Sequence, residues 1–547
     1  MERQTIQLDR VRYNEMKAKA EKKGGLCEAL WNLAANSYSA GSYDAAWNAL
    51  AEACGKNPLQ LKTPEEFWCP QLKKAAAFLT DDAFVKKMEE LTNMRMEGQF
   101  SMSMWRRSYR SADFGYHVSW ALKELCDCIY FNVYQQNVVQ MIPMAHDWIR
   151  GFEVLLALEI RREKPEIIEM IREAMLGENQ HVFLTGRMIR AIIISGHEEL
   201  IDILLKLLVA ARLQEGLRQQ ILENADAGST GTLIKILRIC LEEDLFRYSS
   251  ATRALDVWTG LGYGDAKPAI VKKCAQLAYD CLTNESVRKN YLDSENNLEA
   301  YFSLWAAGCY EINETDQMAR KLLDDERKYR RMLGWLFVAR TDSTGYRMQV
   351  ARSYVNERDE ETLAWVVNNL AVTRELMSSP MYGRKDFTCM PKPNGNLPSN
   401  SGVRKQLFGQ LKELALFIGN KNCTYTGNPF TFVEVTLSSG PVIGCMMSLA
   451  GYDMNPELVT ELMELLPLMS VEQRRAMYCN FLNPGVSTEH RKYLREALND
   501  RSIHVKELAV QRLSGSRLLD EDLESLADSL RSKSSSLRKS VVSILRS

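Results

Sequence analysis

The sequence lacks any apolar run long enough to cross a lipid bilayer, and no apolar core follows the charged residues at its N-terminus. A membrane-spanning helix needs about 20 predominantly apolar residues, and a signal peptide needs an apolar core, so neither is predicted. An excess of one charge is also lacking, because 69 lysines and arginines face 70 aspartates and glutamates. This balance argues against a strongly basic surface of the kind that binds nucleic acid or an anionic membrane.

Motifs of catalysis and of metal or cofactor binding are also missing. The six histidines include no pair at H-x-x-x-H or H-E-x-x-H spacing, and there is no G-x-S-x-G elbow. The glycine-rich stretch 260–264 follows a predicted helix and lacks a Walker lysine, so it is interpreted as a turn between helices. The tripeptide 113–115 (Asp-Phe-Gly) lacks the other kinase motifs. The sequence therefore predicts a protein that is not an enzyme, with no metal and no cofactor.

Cysteine is present in an odd number, 13 in all, and the cysteines are scattered without any C-x-x-C pair. Most of them, such as Cys240, Cys274 and Cys309, lie within apolar stripes at helical spacing. Buried free thiols are typical of proteins in a reducing compartment. We therefore expect free, mostly buried cysteines and a cytoplasmic location.

The clearest structural pattern is the run from Glu198 to Pro268, which holds four helix-sized segments closed by glycine or polar breaks. Leu200 to Val209 is apolar almost all round the helical axis, so this segment is expected to lie between neighbouring helices. Ser229 and Ser249 stand where helix caps are expected. Alternating thick and thin apolar faces predict stacked helical hairpins, each completing the core of the next. The predicted fold is an all-α solenoid.

Residues 27–60 resemble one tetratricopeptide unit, a helix–turn–helix repeat. Ala34 and Ala46 are small where the two helices would cross, Gly41 would permit the tight turn, and Pro58 follows the second helix. A single unit is too short for the usual peptide-binding groove, so we expect it to form a structural first layer.

The helical periodicity divides the chain into four predicted regions. Residues 1–100 form an N-terminal helical region with the tetratricopeptide-like unit, and 101–375 form central helical repeats. Residues 376–450 are a loop-rich insertion, since Pro, Gly, Asn and Ser dominate its first part. Within it, Phe430 to Leu437 alternates imperfectly, which leaves a short β-hairpin and an extended covering segment as alternatives. Residues 451–547 return to helical repeats.

The last region repeats an apolar–basic pair at an offset of 32 residues. Val505-Lys506 leads to Ala509 and Leu513, and the same spacing recurs at Leu537-Arg538. This pattern resembles the HEAT repeat, in which the base often bridges to a neighbouring layer. Because no polar capping helix follows, we expect the natural protein to continue beyond Ser547.

Two clusters mix basic and aromatic residues. The first comprises Trp105, Arg106, Arg107, Tyr109 and Arg110, and the second includes Arg330 and Arg331. Such mixtures can bind a nucleic-acid backbone while stacking bases, and they can equally form the solvated face of a helix. The neutral total charge favours the second interpretation. Asp324 to Glu326 directly precede the second cluster, which predicts intrahelical charge pairing there.

The central run also resembles a particular group of proteins. The stretches 213–218 (Leu-Gln-Glu-Gly-Leu-Arg), 246–250 (Phe-Arg-Tyr-Ser-Ser) and 253–262 resemble large bacterial proteins of unknown function. In those proteins a helical-repeat region precedes a C-terminal MolR-like domain. The resemblance implies a cytoplasmic bacterial protein with an α-solenoid and implies no activity.

Three hypotheses of function follow. The favoured one is a non-enzymatic scaffold, the N-terminal arm of a larger protein, that binds a protein partner of unknown identity. A nucleic-acid-binding helical array is the less favoured alternative. In the third, the chain is a regulatory arm, and its partner is the catalytic remainder of its own polypeptide.

Overall fold

The computed structural model describes most of the chain. The described residues are 7–36, 40–97, 114–134, 137–144, 149–210, 215–261, 267–341, 350, 359–368, 370, 401–426, 434–451, 454–482, 484–485 and 487–546. Those up to 341 belong to one compact unit, and those from 350 onward belong to a second. The finer division into four regions stays a prediction.

The first unit is built from α-helices throughout its described residues, and sixteen of its twenty described helices are shorter than 15 residues. Its helices are α1 Arg10–Lys23, α2 Gly25–Ala35, α3 Ala40–Cys54, α4 Pro64–Phe67, α5 Pro70–Leu79, α6 Asp82–Glu97, α7 Phe114–Phe131, α8 Val138–Met141, α9 Phe152–Arg161, α10 Pro165–Leu176, α11 Gly186–Ser195, α12 Glu198–Leu208, α13 Glu215–Asn224, α14 Thr230–Glu242, α15 Ser249–Thr259, α16 Pro268–Thr283, α17 Glu285–Leu292, α18 Asn297–Gly308, α19 Ile312–Leu322 and α20 Lys328–Thr341. Short 3-10 turns follow several of them, as at Pro58–Gln60 and Ala225–Ala227.

The second unit adds a two-stranded antiparallel sheet to its helices. Its elements are α21 Glu360–Asn368, α22 Ser401–Ile418, β1 Cys423–Tyr425, β2 Val435–Leu437, α23 Gly440–Gly451, α24 Pro456–Met463, α25 Val471–Asn480, α26 Thr488–Ala497, α27 Ile503–Ser514, α28 Asp520–Ser529 and α29 Ser535–Arg546. In the sheet Thr424 pairs with Thr436. The predicted all-α class is therefore confirmed for the described residues, and the hairpin alternative is the one that the structure shows.

Local chemistry sets many helix boundaries where the sequence predicts them. The Ser229 hydroxyl accepts a hydrogen bond from the Thr232 amide (3.1 Å) and so caps α14. Gly260 ends α15 with φ of +71°, a conformation that costs residues with a side chain more. The predicted cap at Ser249 is wrong, because Tyr248 is the N-cap residue and Ser249 already belongs to the helix.

In the middle of the first unit, packing links each helix from α9 to α14 to the helix two places further along the chain. Helices α9, α11, α13 and α15 pack in succession, and α10, α12, α14 and α16 form a second succession. Tryptophan side chains add hydrogen bonds from α15 to α13 and from α18 to α15. The Trp258 indole donates to Leu222 O (2.9 Å), and the Trp305 indole donates to Trp258 O (3.0 Å). Each indole thus satisfies a carbonyl near the end of an earlier helix, where α-helices leave such groups unpaired.

Three local expectations need correction. Helix α12 is buried on one face only: Ile203 and Leu207 are half-buried and Val209 is exposed, so the segment is amphipathic rather than enclosed. The sequence prediction places residues 440–450 in the loop-rich insertion without an element of their own, but they belong to the buried helix α23. Gly41 lies inside the first turn of α3 without a positive φ, so it does not make the turn.

The leading apolar residues of the 32-residue repeat occupy equivalent buried positions, but the basic residue Arg538 does not make the predicted contact to a neighbouring layer. Val505 and Leu537 are both fully buried at equivalent places in α27 and α29. Arg538 donates to Ser532 O (2.5 Å), six residues earlier, rather than to a neighbouring layer. Helices α25, α27 and α29 pack in succession, and α26 packs on α28. The predicted bridge by Arg538 is therefore wrong, because the nearby turn before α29 offers a carbonyl first.

Replacing Gly334 with alanine is expected to lower the free energy of unfolding by about 1–3 kcal/mol, because the core must accommodate an extra methyl group. Gly334 lies in α20 where it crosses α19, and an added Cβ would stand 2.7 Å from Ala319 O and 3.1 Å from Leu322 Cβ. Thermal and urea unfolding measure the effect. The control is Gly409 in α22, whose added Cβ would meet nothing within 4 Å. Its replacement by alanine should stabilise by about 0.5–1 kcal/mol. Equal effects at both positions would contradict this account.

Candidate functional site

The first basic–aromatic cluster, Trp105, Arg106, Arg107, Tyr109 and Arg110, lies outside the described residues. Its interpretation as a nucleic-acid surface stays a prediction.

The second cluster does not form an exposed basic patch at Arg330. This side chain is 2% exposed and donates to two backbone carbonyls, Leu292 O (2.7 Å) and Ser294 O. Arg331 donates to Asp325 O (3.2 Å) and to Glu326 O (2.9 Å). Arg330 thus holds the start of α20 against the end of α17, and Arg331 ties the same helix to the turn that precedes it. The prediction that Arg330 and Arg331 form a ligand surface is corrected, because both side chains bind backbone carbonyls within the fold. Unpaired carbonyls at helix ends attract cations.

Of the neighbouring acids, Asp325 pairs with Arg327, but it does so in the turn before α20 and not within a helix as predicted. Asp325 accepts two hydrogen bonds from Arg327, Nε at 3.0 Å and Nη2 at 2.8 Å. Glu295 contacts the same guanidinium at 3.2 Å. The hydrogen bonds from Arg327 lower the pKa of Asp325 to about 2. These charges neutralise one another in the fold.

The residues that carry the bacterial resemblance meet between α13 and α15. Glu215 accepts a hydrogen bond from the Ser250 amide (3.0 Å) and pairs with Arg218. The Arg218 guanidinium carbon lies 4.0 Å from the centre of the Tyr248 ring, and this arginine is 6% exposed. A cation stacked on an aromatic ring and paired with a carboxylate fixes two helices together. These motif residues are therefore structural contacts.

A cleft of about 420 Å³ in the first unit collects polar and aromatic side chains from several helices. It lies between α1, the α5–α6 junction, the end of α7, α8, α9 and the start of α10. We call it the α1–α9 cleft. Buried apolar residues form its floor: Leu79, Phe84, Phe131, Leu155 and Ile167. Charged residues line its walls: Arg12, Lys19, Asp81, Glu159, Arg162, Lys164 and Glu166.

Glu159 is the most buried charged group of the cleft, with 6% of its side chain exposed. Arg162 donates to its Oε1 at 3.1 Å, and the Lys164 ammonium contacts its Oε2. Arg162 also reaches Asp81 at 3.4 Å. Two cations around a buried carboxylate offset the cost of removing its charge from water.

The turn between α9 and α10 positions these two cations. Glu163, between them, has φ of +53°, which is uncommon for a residue with a side chain. This conformation lets the flanking residues Arg162 and Lys164 both reach Glu159 across one tight turn. Pro165 then starts α10 at the position where the missing amide hydrogen is tolerated.

Helix α1 supplies the opposite wall. The Asp9 carboxylate caps this helix by accepting from the amides of Val11 (2.9 Å) and Arg12 (3.1 Å). The Arg12 side chain donates to Tyr134 O at 3.0 Å, which ties the helix start to the segment after α7. Lys19 lies one to two turns further along, with Nζ 4.8 Å from the centre of the Phe78 ring.

The cleft carries a small positive excess. Its lining has four cationic side chains (Arg12, Lys19, Arg162, Lys164) and three carboxylates (Asp81, Glu159, Glu166), which leaves one net positive charge. Glu159 and Asp81 are already engaged by Arg162. Arg12 and Lys19 on α1 are exposed, and Asp9 pairs with Arg12 at 3.4 Å, so Lys19 presents the positive charge at the mouth, above an apolar and aromatic floor.

The cleft was not predicted from sequence, because its residues come from segments between 12 and 167 whose convergence depends on packing. The only local signal is the polar run Thr80-Asp81-Asp82 at the start of α6, a composition typical of helix caps. In the structure Asp81 accepts a hydrogen bond from the Phe84 amide (2.6 Å). Among the residues that the structure describes, no group of three or more His, Cys, Asp or Glu is arranged to hold a metal ion. No helix in this part of the chain is long and apolar enough to cross a membrane.

The fold defines an all-α protein in its described part. The chain belongs to a family of unknown function, DUF5724, whose model matches residues 26–547. No curated protein matches the chain. Among solved structures, an engineered protein crystallised by the Northeast Structural Genomics Consortium shares 12% sequence identity with it. The match covers 75% of this chain and 98% of the engineered chain, and its TM-score of 0.23 is too low to support any argument.

Proposed function

We propose that this protein is a non-enzymatic helical-repeat scaffold that binds a segment of a partner protein in the α1–α9 cleft. The observation that carries the proposal is the cleft itself, an apolar and aromatic floor beneath charged walls with one net positive charge. Such a surface fits an extended or helical peptide with apolar anchors and an acidic side chain, because ligand sites combine buried apolar area with a few polar groups.

The repeat architecture is part of the same proposal. The succession of packed helices two places apart, in α9–α15 and again in α25–α29, supports an α-solenoid of stacked hairpins related to HEAT and tetratricopeptide repeats. From the resemblance to the bacterial proteins, we also propose that the protein is cytoplasmic and that its natural chain continues into a MolR-like domain. If the cleft regulates that domain, the bound segment would come from the same polypeptide.

Replacing Lys19 with glutamate is expected to weaken binding of such a peptide about tenfold. Reversing one charge at the mouth converts an attraction of about 1 kcal/mol into a repulsion. Peptides would be selected from a phage-displayed library on the purified protein and measured by fluorescence polarisation against wild type and variant. We expect the selected peptides to carry acidic and aromatic residues.

The matched control is Lys17→Glu, on the same helix. Lys17 is 51% exposed, pairs with Glu21 and does not line the cleft. Its affinity should stay within twofold of wild type. Equal losses in both variants, or selected peptides that ignore Lys19→Glu, would overturn the cleft as the site. Tight binding of a labelled single-stranded oligonucleotide that competes with the peptides would instead support the nucleic-acid alternative. Competition by a segment of the chain's own continuation would support the regulatory arm.

A further inference from the structure

Two cysteines that are 15 residues apart in sequence meet in the first unit. The Cys54 thiol donates a hydrogen bond to Cys69 Sγ at 3.3 Å. Both are free thiols, and both are half-buried rather than enclosed in the core. We propose that Cys54 and Cys69 form a reversible redox pair, which a hydroperoxide converts to a disulfide with Cys69 as the nucleophile and Cys54 as the resolving thiol.

Two ordered helices hold the sulfur atoms together. Cys54 is the last residue of α3, Cys69 immediately precedes α5, and the two helices pack on each other. A disulfide needs sulfurs about 2.05 Å apart, so an approach of about 1.3 Å would close the bond. Residues 55–68, between the cysteines, are anchored by the buried side chains of Leu61, Phe67 and Trp68. The pair is therefore positioned by the fold and does not depend on a chance encounter.

The surroundings of the two thiols differ in a way that assigns their roles. Cys69 stands at the N-terminus of α5, where backbone amides face its sulfur and the helix dipole favours a negative charge. The hydrogen bond from Cys54, together with the amides of Leu72 and Gln71, lowers the pKa of Cys69 to about 6 despite partial burial. The same hydrogen bond, and burial, raise the pKa of Cys54, which keeps its proton.

The chemistry balances with one hydroperoxide. The Cys69 thiolate attacks an oxygen of hydrogen peroxide, the O–O bond breaks, and hydroxide leaves as the sulfenic acid forms. The Cys54 sulfur then attacks the Cys69 sulfur, the S–O bond breaks, and the oxygen leaves as water with the Cys54 proton. Both sulfurs are oxidised, and the two peroxide oxygens are reduced to one hydroxide ion and one water molecule. A dithiol reductant reverses the reaction by thiol–disulfide exchange.

The other cysteines of the first unit are less suited to this chemistry. Cys126 and Cys128, both in α7, are buried in the core of the first unit, and burial raises the pKa of each thiol. A neutral thiol without access to solvent reacts poorly with peroxide. In the second unit Cys423 is exposed on β1 and serves as an accessible thiol for comparison.

The test is mass spectrometry of the whole protein after treatment with hydrogen peroxide and alkylation of the remaining thiols. We expect a peptide pair cross-linked between Cys54 and Cys69, removed by dithiothreitol and unchanged in Cys423→Ser. In Cys54→Ser, Cys69 should accumulate as a sulfenic acid that dimedone traps. In Cys69→Ser, neither product should form. A cross-link that is absent in wild type, or that joins other cysteines equally, would overturn the proposal.

A second measurement separates a reactive pair from a merely structural contact and needs no oxidant. The rate of alkylation of Cys69 by iodoacetamide should rise with pH around a midpoint near 6 in wild type, following the lowered pKa. In Cys54→Ala the midpoint should move upward by more than one unit, because the donated hydrogen bond is lost. Circular dichroism checks that each variant is folded. A wild-type midpoint at the usual thiol value, about 8.5, would show that Cys69 is not activated.

Discussion

Replacing Asp522 with alanine is expected to lower the free energy of unfolding of the second unit by about 3–5 kcal/mol, since it leaves a buried cation without its partner. Asp522 lies in α28 with no exposed surface, and its carboxylate accepts from Arg491, from Arg495 (3.0 Å) and from the Leu519 amide (2.9 Å). It therefore joins α26 to α28 through two guanidinium groups.

The cost is large because Arg491 has nowhere to move. Its side chain is 9% exposed, and it also donates to Pro484 O (3.0 Å), Ser516 Oγ (3.1 Å) and Arg517 O (2.8 Å). These acceptors hold the guanidinium in place, so removal of the carboxylate leaves the Arg491 charge buried without its Asp522 partner. Urea unfolding, with hydrogen exchange of α26 and α28 peptides to assign the effect to this unit, measures the loss.

The same helix provides a matched control. Asp528 is 73% exposed and pairs with Arg531 at 3.6 Å, an arginine that is itself 88% exposed. Because solvent screens such pairs, Asp528→Ala should change the free energy of unfolding by less than about 0.5 kcal/mol. Equal losses at the two positions would mean that Asp522 acts through helix propensity alone and not through the buried network.

Replacing Trp258 with alanine is expected to destabilise the first unit by about 3–5 kcal/mol, as large-to-small core substitutions of aromatic residues do. Trp258 is 1% exposed, its indole donates to Leu222 O, and its own carbonyl accepts from Trp305. The substitution opens a cavity between α13 and α15 and leaves the buried Leu222 carbonyl without this donor. Differential scanning calorimetry of the whole chain measures the shift.

Two further variants separate the contributions of volume and hydrogen bond. Trp258→Phe keeps most of the ring but loses the indole donor, and should cost about 1–3 kcal/mol. Trp47 in α3 is half-buried and stacks on Tyr43 with ring centres 5.6 Å apart. Trp47→Ala should therefore cost clearly less than Trp258→Ala. If the half-buried and the buried tryptophan cost the same, the hydrogen bonds of Trp258 do not stabilise the packing of α13 on α15.

Helix positions and ends could be predicted from sequence because the interactions that set them are local. Ser229, Pro165 and Gly260 act within one turn of their own position, through a cap hydrogen bond, a tolerated proline and a left-handed φ. The apolar content of the segments fixed the all-α class for the same reason. The apolar run at 440–451 is the exception, since the prediction assigns most of it to the loop-rich insertion and it forms the buried helix α23.

The tertiary structure alone decided which charged and reactive side chains meet. Arg330 looked like a surface base in sequence, yet its partners, the carbonyls of Leu292 and Ser294, are more than 35 residues away. Glu159 and Lys19 share a cleft, and Cys54 faces Cys69, only because helices distant in the chain pack side by side. The sequence by itself determined the helices and their apolar faces. Burial and charge pairing depend on neighbours that packing supplies, so the candidate site emerged only in three dimensions.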